Sequence, residues 1–317
     1  MSSHWMRRAL LALATVSALL TAACGSGTIE SQLQPARIVV FGDGLSDIGQ
    51  GGSRYTVNDA GIDLWTQQVA LSFGLDLKTA VAGGTSYATG NVRINSKPDA
   101  AGNSATATVK EQIDTFLALG PIGSNDLLIV GGGIGDVIAE MAKVTAGTQT
   151  GDQMVEAARQ AGRELATQVR RLVDAGAAHV VVVGSYDLGR SPWATATSQQ
   201  DLLSRASSRF NEEMLVSIVD LGAHVLYVDA ALLYNLMISS PTGYGMVNSV
   251  DPVCTSVDPG PGIGIGAGAL NSALCTPSTV VANVDYNQYL FADRVYPSPQ
   301  AQRRFGEYAY TRIRSRW

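Results

Sequence analysis

Four short runs of consecutive apolar residues, rich in β-branched side chains, punctuate the chain: Ile38-Val39-Val40-Phe41 behind Arg37, then residues 127–130, 180–183 and 225–228. Runs of this length without polar alternation predict strands buried on both faces. Between them the period changes. Met154, Ala158, Ala161, Leu165, Val169 and Leu172 recur at steps of three and four, which is one face of a helix over about 152–175, with Gly176 placed to end it. Leu203, Ala206, Phe210, Met214 and Leu221 repeat the design over about 199–221, and Gly222 follows. After each helix the chain runs through alanine and histidine, His179 and His224, into the next apolar run. Buried strands alternating with amphipathic helices predict parallel βαβ units, and so an α/β fold: a three-layer α/β/α sandwich around a central parallel sheet.

Two stretches break the pattern. Residues 239–289 show little periodicity and carry Pro259-Gly260-Pro261-Gly262, Gly264, Gly266 and Gly268, the composition of a long loop that serves as a lid or binding element or is disordered. Residues 1–23 read as an export signal: Arg7 and Arg8 precede an uncharged run too short to span a bilayer. Thr21-Ala22-Ala23-Cys24 is close to a lipoprotein cleavage box, so Cys24 is the expected lipid anchor, with ordinary cleavage and secretion as the alternative. A polar tether over 24–36 then leads to a single domain over 37–317. In an oxidising compartment the three cysteines divide into one anchor and one disulfide, Cys254 with Cys275; two free thiols is the alternative. Loss of the signal removes two arginines and no acid from a chain already at formal charge −5. That balance argues against nucleic acid or an anionic membrane face as partner and leaves the anchor as the expected membrane contact.

Sites in open parallel sheets form beyond the carboxyl ends of the strands. After the first run comes Phe41-Gly42-Asp43-Gly44-Leu45-Ser46-Asp47-Ile48-Gly49, after the second Gly133-Ile134-Gly135-Asp136, and near the C-terminus Asp293-Arg294-Val295-Tyr296-Pro297. Gly83-Gly84-Thr85-Ser86-Tyr87-Ala88-Thr89-Gly90-Asn91 lies between the first two. In this order the four segments resemble the signature blocks of the GDSL (SGNH) hydrolases, and the resemblance covers 37–317. It implies the flavodoxin-like SGNH sandwich and an esterase, lipase or phospholipase-like substrate class. It also implies roles: Gly44 holds the nucleophile's position, Gly90 that of an oxyanion donor through its N–H, Gly135 that of the oxyanion asparagine, Tyr296 that of the base, while Asp293 keeps the acid. Gly90, or Asn91 beside it, and the N–H of Gly44 are the donors expected to survive.

A glycine cannot attack an ester, and a phenol of pKa near 10 is a poor base at neutral pH. No substitute is visible in the sequence. His179 and His224 begin strands, at the edge opposite the expected site. Ser46 and Ser185 have no histidine partner. Asp43, Asp47 and Asp136 are expected to bind loop backbone or cap a helix rather than hold a metal, and no cofactor spacing is present. The expectation is therefore an exported SGNH-like protein, anchored in the bacterial envelope (periplasm or outer membrane) or secreted, that has lost hydrolysis and kept a crevice. Its ligand would be an acyl chain, a glycan or an envelope protein. The competing expectation is an active lipolytic esterase with a non-standard nucleophile.

Overall fold

A computed structural model describes residues 33–317; the export signal, Cys24 and most of the tether lie outside the described residues. In chain order the elements are β1 (Arg37–Phe41), α1 (Trp65–Ser72), α2 (Val109–Leu117), β2 (Asp126–Gly131), α3 (Ile134–Thr145), α4 (Gly151–Asp174), β3 (His179–Val183), α5 (Pro192–Thr197), α6 (Gln200–Ser217), β4 (Val225–Tyr227), α7 (Ala230–Ser239), β5 (Asn248–Pro252), β6 (Tyr289–Phe291) and α8 (Pro299–Arg316). The four predicted apolar runs are β1 to β4, and they form one parallel sheet in the order β1-β2-β3-β4. Val40 stands beside Ile129, Ile129 beside Val181 and Val181 beside Leu226.

These side chains are almost wholly buried, each contributing about 1.5–3 kcal/mol relative to exposure. Helices cover both faces of the sheet. On one, α1, α7 and α8 pack together, with Phe305 of α8 in ring contact with Trp65 and Tyr234. On the other lie α2, α3, α4 and α6. The result is the α/β sandwich that the strand and helix periods predict.

Helix α4 starts at a reciprocal cap between Thr150 and Gln153 and stops before Gly176, which takes φ +100°, a conformation that favours glycine. The second predicted helix is shorter than its pattern. Helix α6 ends at Ser217, and Val219–Leu221 continue as a 3-10 turn that carries Leu221 into the core. Beyond β1 the sheet gains an irregular edge: Val40 N–H donates to Thr85 O and Tyr87 N–H to Val40 O, so the second signature segment runs alongside β1.

The segment over 239–289 is more regular than its composition suggests. Within it β5 pairs in parallel with β6, and Cys254 is bonded to Cys275 as the cysteine count predicts. Val57, Val253, Ala292 and the disulfide form a small second core beneath the loop. Strand β5 was invisible because its sequence, Asn248-Ser249-Val250-Asp251-Pro252, carries polar residues and a proline that only an edge strand accepts. Among the described residues no helix is long and apolar enough to cross a membrane.

Candidate functional site

The carboxyl ends of β1 and β2 bring the signature segments together, but the place where they meet is filled. Gly44, Gly90, Gly135 and Tyr296 are all buried. A Cβ added at Gly44 would lie 2.8 Å from the Tyr296 ring, so that ring occupies the volume a nucleophile's side chain needs. Tyr55 does the same over Gly90, where a Cβ would come within 2.0 Å of its ring. The two rings touch, with centroids 4.9 Å apart. At Gly135 the obstacle is backbone: a Cβ would meet Val92 O at 2.2 Å and Asn91 O at 2.9 Å. Glycine here admits the close approach of another loop, and an asparagine would require the 91–92 segment to move. At all three positions the space that a side chain would take is occupied.

Two of the expected donor positions, Gly90 and Asn91, are also committed. Gly90 N–H donates to Asp47 Oδ2 at 2.8 Å, so it serves the carboxylate rather than an empty oxyanion position. Asn91, in left-handed backbone at φ +62°, turns its amide Nδ2 onto Gly262 O of the bracketed loop at 3.0 Å. Its Oδ1 is buried without a partner.

Four carboxylates hold this rim, each by backbone N–H groups. Asp43 accepts from Leu45 and from Ile134 at the start of α3. Asp47 accepts from Gly49, Gln50 and Gly90; no helix follows it, so it braces a turn where a helix cap was expected. Asp136 accepts from Ile94 and faces Arg93 Nε at 3.4 Å. Asp293, the retained acid, accepts from Val295 and Tyr296 at 2.8 and 2.7 Å and from Ser272 at 2.9 Å, which ties the last block to the bracketed loop. Burial is the largest influence on all four and pushes their pKa values up, to about 6 for Asp43 and about 7 for Asp136. Burial likewise lifts the Tyr296 phenol well above 10, with the charge of Asp43 adding to it. Its hydroxyl has no hydrogen-bond partner, so neither its proton affinity nor its surroundings suit a general base.

The remaining candidates lie apart. Ser46 and Ser185 are buried, and Ser185 Oγ donates to Tyr186 O. His179 is the first residue of β3, edge-on to Trp317, and His224 directly precedes β4; both lie at the amino ends of their strands. Among the described residues no group of three or more His, Cys, Asp or Glu side chains is placed to share a metal ion. The sequence reading missed two participants. Tyr55 belongs to no motif and gives no signal. Arg93 does give one: a lone cation between Val92 and Ile94, both buried, it pairs with Asp136 and with Glu140 at 2.8 Å.

Comparison with known proteins places these features in context. The sequence profile of the GDSL-like lipase/acylhydrolase family matches residues 38–309. An uncharacterized protein from the trpE-trpG intergenic region of Pseudomonas putida is 26% identical over 339 residues, covering 98% of this chain and 54% of that protein. The chain thus spans about half the length of this curated relative. Among solved structures, Est24, a carbohydrate acetylesterase from Sinorhizobium meliloti, aligns at 14% identity over 87% of this chain and 97% of its own, with a TM-score of 0.45.

Proposed function

Because the chain belongs to the GDSL-like lipase/acylhydrolase family, its departures are departures from a hydrolase site, and we propose that it has lost ester hydrolysis and acts as a binding or scaffold protein of the cell envelope. In this proposal it is exported and held through Cys24, or secreted where Cys24 is not modified. The observation that carries the reading is the Tyr296 ring seated where a side chain at Gly44 would stand. A missing nucleophile alone costs a serine protease about 10⁶ in turnover, and one missing oxyanion donor about 10² to 10³. Here the volume for the reacting atoms is occupied as well. The alternative nucleophiles fare poorly, since Ser46 and Ser185 are buried, Ser185 Oγ is turned onto Tyr186 O, and His179 and His224 stand at the opposite ends of the strands.

Hydrolysis of a short-chain p-nitrophenyl ester, with parallel labelling by an alkylphosphonate, tests the proposal. The native protein is expected to match the buffer rate and to take no label. Gly44→Ser alone is expected to stay silent because the Tyr296 ring blocks it, whereas Gly44→Ser combined with Tyr296→His gains turnover. Enzymatic turnover by the native chain, with phosphonate recovered on Ser46 or Ser185, would sink the proposal.

A further inference from the structure

We infer that the groove between α3, α5 and the bracketed loop binds a single unbranched alkyl chain. The inference rests on the binding-protein reading for its purpose, but the groove is separate from the filled site at Gly44. It encloses about 330 Å³, near the lower end of the roughly 300–1,000 Å³ typical of small-molecule sites. That volume suits one chain better than two. Ile138, Met141 and Trp193, all at least nine-tenths buried, form its floor, and Ile265 of the loop closes one side.

The chemistry of the lining selects the occupant. No ionisable side chain lines the groove, whereas two other grooves on the described surface carry Asp63 and Arg303, and Glu156 and Arg205, and a third is lined by the polar side chains of Gln50, Gln112 and Tyr87. The hydroxyls that do line it are turned back on their own helices: Thr145 Oγ1 donates to Met141 O at 3.1 Å and Thr197 Oγ1 to Trp193 O at 2.8 Å. A sugar or a charged group entering here would give up water for unreplaced hydrogen bonds. A hydrocarbon gives up nothing and gains burial. At the mouth stand Ala142, Ala146 and Gly266, exposed and with little or no side chain, which leaves the entrance open.

Calorimetric titration of the full chain with alkyl maltosides of six to twelve carbons, each below its micelle concentration, tests this. The expected result is a Kd that falls about fourfold for each added methylene and then levels once the groove is full, with no binding of maltose itself. Ala142→Phe and, independently, Ala146→Phe should each raise Kd at least tenfold with Tm unchanged, while the distant exposed Val216→Phe should not. Absence of binding, or binding indifferent to both mouth substitutions, would overturn the inference. Ester hydrolysis by the native chain would overturn the proposed loss of catalysis and leave the groove standing, so the two failures are distinguishable.

Discussion

Acids at the two ends of the central sheet meet opposite surroundings. Where the strands begin, acids meet cations: Asp126 of β2, itself buried, pairs with the partly exposed Arg37 of β1 at 2.7 Å, and the more exposed Asp114 and Asp220 pair with Lys110 and Arg171 and with Arg170. Hydrogen bonds from Lys110 and from Arg170 hold Asp114 and Asp220 below the usual carboxylate pKa. Where the strands end, Asp43, Asp47, Asp136 and Asp293 meet backbone N–H groups and almost no water, and their pKa values rise. Only Asp136 among them has a close cation, Arg93. At this end of the sheet the acids are packed as core. The Tyr296 and Tyr55 rings pack over Gly44 and Gly90, and the acids tie loops together through backbone N–H groups.

The contrast can be broken most severely at Asp293. Asp293→Ala strands three buried N–H groups, those of Ser272, Val295 and Tyr296, without an acceptor. The expected loss is about 3–5 kcal/mol in urea unfolding. The matching change at the other end, Asp220→Ala, removes an exposed ion pair and should leave the midpoint within error. Equal effects at the two sites would show that the rim is not built as core.

The frame of this fold was legible because its physics is local. Unbroken β-branched runs and a steady three-four spacing are properties of single segments, and they located β1 to β4, α4 and α6 to within a few residues. The signature segments were legible as well, since their glycines and aspartates stand in fixed order. What those segments do depends on groups distant in sequence. Gly90 looked like a free donor until Asp47, 43 residues earlier, was seen to take its N–H. Gly135 looked like a missing asparagine, yet the backbone oxygen of Val92 decides what can stand there. The plug itself joins Tyr55 to Tyr296 across almost the whole domain, a contact no periodicity encodes. Strand β5 was hidden for a related reason: it is stabilised by β6 rather than by its own composition.

A second test uses the opposite pKa shifts. Asp43 and Asp136 titrate near 6 and 7 in the folded protein but near 4 in an unfolded chain. Between about pH 4 and 7 the folded state therefore binds more protons than the unfolded one, and stability falls as pH rises through that window. Each such group contributes a loss on the order of 3 kcal/mol between the two limits. The acids with lowered pKa at the other end act in the reverse sense and at lower pH, where protonation removes their pairing. Thermal unfolding at pH 5 and pH 8 should thus give the higher Tm at pH 5, and Asp43→Asn should shrink the difference. A protein equally stable at both values would contradict the burial of these carboxylates as ionised groups.

The smallest expected effect is the most specific. Tyr186 and Tyr296 are both fully buried tyrosines beside the last block, and only one of them has a use for its hydroxyl. Tyr186 donates to Val295 O at 2.5 Å and so fixes the chain next to Tyr296. Tyr296 carries its hydroxyl with no partner, which means that folding strips water from that oxygen and returns nothing. The same chemical change should then have opposite signs. Tyr186→Phe removes a hydrogen bond, leaves Val295 O short of a donor, and should destabilise by about 1–2 kcal/mol. Tyr296→Phe keeps the ring over Gly44, removes the desolvated hydroxyl, and should be neutral or stabilising by up to about 1 kcal/mol, read as a Tm at or slightly above that of the native chain. If Tyr296→Phe instead lowers Tm as much as Tyr186→Phe does, the hydroxyl has a partner, and Tyr296 is more than a ring that fills space over Gly44.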